Sequence, residues 1–139
     1  MTSQRGSTSL ELTIWAVPMV LFIGLLIIAG RMAIAGNAVQ SAAFAAARDA
    51  TLARTFTQAQ IAGDAAATFS LDSNGVECIS RNVVIDATDF NQPIGTLGEV
   101  RTTLTCTVRL SDTGLPGLPG SIDIVRTASS PVDPYRQRL

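Results

Sequence analysis

The sequence predicts an α+β fold: a long N-terminal helix, half membrane-spanning and half alanine-rich and external, followed by a small three-stranded antiparallel sheet. Three observations predict it. Residues 12–30 form a run of nineteen positions without a charge. Residues 32–71 contain no proline and are dominated by alanine, the strongest helix former. Beyond Gly75 the apolar period changes from 3.6 to 2, as strands require.

The first element is the apolar run. At ~1.5 Å per residue it reaches about 28 Å, the thickness of a bilayer's hydrocarbon core. Pro18 inside it removes one backbone donor, which membrane helices tolerate. Trp15 stands near the start, at a position suited to the membrane interface. Three fates fit such a run. Ala33-Ile34-Ala35 before Gly36 offers an A-x-A secretory cleavage site, but the run is longer than the 7–15 residues usual for a signal. An uncut signal anchor fits the length, yet gives Glu11 no role. The third fate uses Gly6-Ser7-Thr8-Ser9-Leu10-Glu11, a glycine before a small residue with a carboxylate five positions after the junction. This resembles the processing site of type IV pilin-like precursors, in which a membrane peptidase cuts after the glycine and the apolar segment stays on the mature protein. Here the cut falls between Gly6 and Ser7. An ionised carboxylate near the bilayer centre costs ~3 kcal/mol or more. The new α-amino group, on the same chain or a neighbour, offsets that cost, so Glu11 is expected to set the registry of helices packed side by side.

Arg5 and Arg31 flank the run, so the positive-inside rule gives almost no charge bias. The cysteines favour an external C-terminal part, with the N-terminus cytoplasmic. The expected organisation is a leader peptide over 1–6, a transmembrane helix over 7–31, an external helix over 32–71, a disulfide-stapled β domain over 76–128 and an extended tail over 129–139.

Within 32–71, Asn37, Ser41, Arg48 and Thr55 share one side of a helix, with Val39, Ala42, Ala46, Ala50 and Ala53 roughly opposite. Gly36 and Gly63 are the weak points for helix formation. The alanine stripe is expected to cover the chain's own small sheet. Packing on helices of other subunits is the other reading. Phe44 projects toward the polar side, as a partner contact would require.

Asp72-Ser73-Asn74-Gly75 marks a stop and turn. Residues 100–110 alternate most clearly, Val100, Thr102, Leu104, Cys106 and Val108 against Arg101, Thr103, Thr105 and Thr107. Residues 76–87 form a weaker strand, and 121–128 a third. A hairpin centred near residue 92 sets Cys78 opposite Cys106 and Val84 opposite Val100. Two cysteines downstream of a membrane span read as one disulfide in an oxidising compartment. Two buried free thiols are the alternative. Leu115-Pro116-Gly117-Leu118-Pro119-Gly120 reads as a loop.

Composition excludes much chemistry. Histidine and lysine are absent and the net charge is −1. Without them no nucleophile-plus-base set can be built, so an enzyme is not expected. The two cysteines stand 28 apart with no second pair, so no zinc site or other cofactor follows. The ten arginines are scattered and only seven residues are aromatic, which argues against nucleic acid as a partner. No phosphate-cradling glycine loop marks a small-molecule substrate.

Arg5-Gly6-Ser7, Glu11, the apolar run containing Pro18, Gly30-Arg31 and the continuation from Ala42 to Ala50 together resemble the TadE-like family, minor pseudopilins of the tight-adherence (Tad/Flp) pilus system. The strong part of the likeness covers about residues 5–50. Cys78 and Cys106, Leu115-Pro116-Gly117 and the run from Ser130 to Arg136 resemble actinobacterial members more loosely. Leu12-Thr13 departs from the aromatic or alanine usual after the glutamate. The resemblance implies a pilin-like fold and a role in assembly of a surface pilus. The partners it implies are the membrane, major pilin, other minor pilins and a prepilin peptidase. The alternative is an uncleaved single-pass membrane protein with an external binding or adhesive domain.

Overall fold

The computed structural model describes residues 7–93, 95–110 and 120–135, with side chains from residue 11 onward. The expected leader 1–6, the Leu115-Pro116-Gly117 loop and residues 136–139 lie outside the described residues. The elements are α1 (Ser7–Leu52), α2 (Phe56–Ser73), β1 (Ser80–Asp86), a single 3₁₀ turn (Thr88–Asn91), β2 (Gly98–Arg109) and β3 (Ser121–Val132). The chain divides into two compact units, Met1–Ala33 and Ile34–Leu139.

In the first unit α1 runs without interruption through Pro18. Every side chain from Glu11 to Phe22 is exposed, large apolar ones included. A helix that is apolar all round needs an apolar surrounding.

In the second unit two helices cover one face of the sheet. The part of α1 from Ala35 onward buries Ala35, Ala38, Val39, Ala42, Ala43, Ala46, Ala47 and Ala50, a stripe at helical spacing. Asn37, Ser41, Phe44 and Arg48 are exposed on the other side, as the sequence predicts. The stripe packs with Leu104, Cys106, Ile124 and Ala128 of the sheet and with Ala67 and Leu71 of α2. The expectation that this helix covers the chain's own sheet is met.

The single helix expected over 32–71 is two. α1 stops at Leu52, and Thr55 caps α2: its hydroxyl accepts from Gln58 N at 3.3 Å. Thr55-Phe56-Thr57-Gln58 has the Thr-x-x-Gln pattern of a capping box. The break lets α2 turn back and bury Ala59, Gly63, Ala67 and Leu71, which a straight helix would leave in solvent. Its far end closes as a Schellman motif. Val76 N donates to Leu71 O at 3.1 Å and Gly75 N to Asp72 O at 3.0 Å, with Gly75 at φ +67°.

Gly63 is a contact rather than a weakness. A Cβ there would stand 2.4 Å from Ile85 Cδ1 and 3.1 Å from the Ala46 carbonyl oxygen. Gly36 likewise faces the Arg126 guanidinium, with a Cβ position 3.1 Å from Nη2.

The sheet is antiparallel in the order β1-β2-β3. Its hairpin register differs from expectation. Val84 pairs with Thr103 rather than Val100, and Cys106 pairs with Arg81 rather than Cys78. The shift of three in the paired sum turns the other face of β1 inward. Ile85 is buried and Val84 exposed, because Ile85 is the residue that meets Gly63. β1 also starts later than expected, since 76–79 carries the chain across from α2. Arg81 then faces the helices from the sheet edge. Its Nη2 lies 3.2 Å from Asp64 Oδ1 and Oδ2, and its Nη1 donates to the Thr68 hydroxyl. At the other end β3 continues past residue 128 to Val132, which is buried. The tail expected from 129 therefore begins as strand. Pro131 is accommodated because β3 is an edge strand.

Gly63→Ala is expected to lower the stability of the full-length chain in detergent by about 1–3 kcal/mol, through overpacking against Ile85 and backbone. Urea denaturation followed by circular dichroism measures it. Thr102 is fully buried and its hydroxyl meets no partner among the described residues. Thr102→Val is expected to raise stability by about 1 kcal/mol in the same assay, because it removes an unpaired buried hydroxyl.

Candidate functional site

Two features of the expected site fall on described residues: the apolar helix with its carboxylate, and the cysteine pair. Gly6 lies outside the described residues. Ser7 opens α1, and Glu11 follows it by one helical turn and is exposed. Residues four apart on a helix share a face and are separated by ~6 Å of rise. Between Ser7 and Gly30 Glu11 is the only charged residue. Among the described residues one helix, near the N-terminus, is long and apolar enough to cross a membrane.

Cys78 and Cys106 are bonded, with Sγ atoms 2.00 Å and Cα atoms 5.4 Å apart. Cys106 is fully buried on the helix-facing side of β2, while Cys78 is half-buried in the link ahead of β1. The bridge joins the α2–β1 link to the middle strand and does not lie across a strand pair. Beside it a shallow depression of about 320 Å³ is lined by Glu77, Cys78, Ile79, Val108 and Arg109. At the start of α2 another of about 400 Å³ is lined by Arg54, Thr55, Phe56, Thr88, Phe90 and Asn91, with Ala87. Neither brings a nucleophile to a base. Among the described residues no three His, Cys, Asp or Glu side chains converge where they could hold a metal ion.

Asp86 accepts from Thr88 N at 3.1 Å, and this bond, with the Thr88 hydroxyl and Arg101, holds its carboxyl below the usual carboxylate range. A depressed carboxyl contributes stability that is present above the unfolded-state value and lost as pH falls through the folded one. Asp86 is exposed, and it shapes the turn after β1.

Sequence reasoning missed the interhelical contact at Gly63 and the Arg81–Asp64–Thr68 tie. Spacing could have suggested neither, since both depend on the break at 53–55.

The decisive comparison concerns the N-terminal third. Residues 6–48 match the family model of the TadE-like protein. The TadE-like match takes in Gly6, Glu11, the apolar run and the alanine stripe as far as Arg48, which is the stretch in which the sequence showed the resemblance. It stops ahead of α2 and the sheet. No curated protein and no solved structure matches the chain. The match covers 43 of the 139 residues, the N-terminal part of the chain with its apolar helix.

Replacing both Cys78 and Cys106 with alanine opens a loop of 29 residues. The expected cost is roughly 3–4 kcal/mol. A lowered urea midpoint for the full-length double variant in detergent checks it, and unchanged stability would refute the stapling role.

Proposed function

We propose that the chain is a minor pseudopilin. A prepilin peptidase cuts it between Gly6 and Ser7, residues 12–30 hold it in the membrane with the β domain outside, and it acts with major pilin and other minor pilins in assembling a surface pilus. The observation that carries this reading is the placement of Glu11. It is the lone charge between Ser7 and Gly30, at the start of an exposed apolar stretch of α1 and one turn after the residue that would become the new N-terminus. That amino group would sit at the start of α1, within a turn of the carboxylate on the same chain and within reach of a neighbour's. The TadE-like match over the same stretch supports it.

N-terminal sequencing of the protein recovered from membranes is the direct test. Ser7 is expected as the first residue. Met1 would favour the uncleaved membrane protein with an external binding domain, and Gly36 would mean a secreted domain. Glu11→Ala is expected to leave cleavage largely intact and to impair pilus assembly, seen as fewer surface fibres by electron microscopy. Normal fibres would show that Glu11 does not set the registry.

A further inference from the structure

The link from α2 to β1 holds a pair of residues whose chemistry the features described above do not use. Of the four asparagines, Asn74 alone precedes a glycine. Asn74 and Gly75 are both exposed, and among the described residues nothing lies within 4 Å of the place a Cβ would take on Gly75. A backbone nitrogen with no side chain beside it can reach the side-chain carbonyl carbon of a preceding asparagine. The Schellman cap opposes that approach. Asn74 Nδ2, the group that would leave, donates to Ser70 O at 2.7 Å and is held against the last turn of α2. Gly75 N, the group that would attack, donates to Asp72 O at 3.0 Å. Asn74 stands at ψ 2°, whereas ring closure needs Gly75 N eclipsed with Cβ, roughly a third of a turn away.

We infer that Asn74-Gly75 is a site of spontaneous modification, shut in the folded chain and reactive whenever the cap of α2 opens. Gly75 N, on losing its proton, attacks Asn74 Cγ. The new C–N bond closes a succinimide ring, the bond from Cγ to Nδ2 breaks, and the nitrogen takes up the proton and leaves as ammonia. Water then opens the imide at either carbonyl and gives aspartate or isoaspartate. Water is the one co-reactant, and no electrons are exchanged. Neither product rebuilds the cap. A carboxylate has no hydrogen to give Ser70 O, which also accepts from the Ser73 hydroxyl at 2.9 Å and from Asn74 N at 3.2 Å. It adds a negative charge close to Asp72, at the negative end of α2. Isoaspartate lengthens the backbone by a methylene, inside the loop that Val76 N closes on Leu71 O. The modification therefore records an opening that refolding does not erase. Val76, packed on the core just beyond, is the first residue it loosens, while the disulfide at Cys78 keeps the link attached to β2.

The test is peptide mapping of the full-length chain in detergent at mildly alkaline pH, with folded and urea-unfolded samples incubated side by side. Mass spectrometry reads the exchange of amide for acid at each asparagine, and an isoaspartate-specific methyltransferase reads the isoaspartate share. In urea, Asn74 is expected to convert at least about tenfold faster than Asn82, which precedes Val83. In the folded chain, Asn74 is expected to convert at least about tenfold more slowly than in urea, because only molecules with an opened cap react. Gly75→Ala is expected to slow the unfolded chain by about tenfold, a readout that does not require the variant to fold. Asn74→Asp, which carries one of the two products, is expected to lower the urea midpoint. Conversion of Asn74 no faster than Asn82 in urea, or an unfolded rate that Gly75→Ala leaves unchanged, overturns the site. Equal rates in the folded and unfolded chains overturn the role of the cap, as does an unchanged urea midpoint for Asn74→Asp.

Discussion

The second unit depends on close approach between small residues. Ala46, Ala50 and Gly63 meet where α1, α2 and the sheet converge, and Ile85 enters the space that a side chain at Gly63 would take. Alanine buries little area per residue, so it stabilises less by transfer from water than leucine or valine. What it permits is a short distance between backbones. The helices come near enough for the few large core side chains, Leu104, Val39 and Val100, to be fully covered. A layer of this kind tolerates little change in volume at its centre and much more at its edges.

The thin core explains the two ties placed around it. The disulfide holds the α2–β1 link to the central strand, and Arg81 reaches from the sheet edge to Asp64 and Thr68. The ion pair is partly exposed, with side-chain exposures of 29% and 54%, so its Coulombic worth is small. Its geometry matters more, because one guanidinium bonds two residues a turn apart and so orients α2 on β1. The covalent tie acts mainly on the unfolded chain, by closing a loop that spans β1 and most of β2. Both ties belong to the part of the chain beyond the TadE-like match. The matched part answers to a different constraint. It must be stable in an apolar surrounding up to Gly30 and amphipathic after it, within one uninterrupted helix.

Much of this was legible in the sequence. An uncharged run of bilayer length, an alanine stripe at 3.6-residue spacing and the alternation around Leu104 each carry their own period, and each element appears where its period is. The break between α1 and α2 was not legible by period, because Ala53, Arg54 and Thr55 are all acceptable inside a helix. The capping pattern from Thr55 to Gln58 was its one local sign. The hairpin register failed for a related reason. Val83, Val84 and Ile85 are consecutive, so apolarity alone does not say which of them faces inward, and the cysteine pair suggested a cross-strand position that Cys78 does not occupy. The last turn of β3 was hidden by Pro131, which is forbidden in a central strand and harmless on an edge.

The sequence by itself determined that an apolar helix with one carboxylate leads into an amphipathic helix and a small sheet. It could do so because those features follow from hydrogen bonding and burial along a single segment. Only the tertiary structure decided where the helix turns back, which face of β1 is buried and why residue 63 is a glycine. Those choices are set by contacts between segments that are distant in sequence, and a local pattern holds no information about which segments meet.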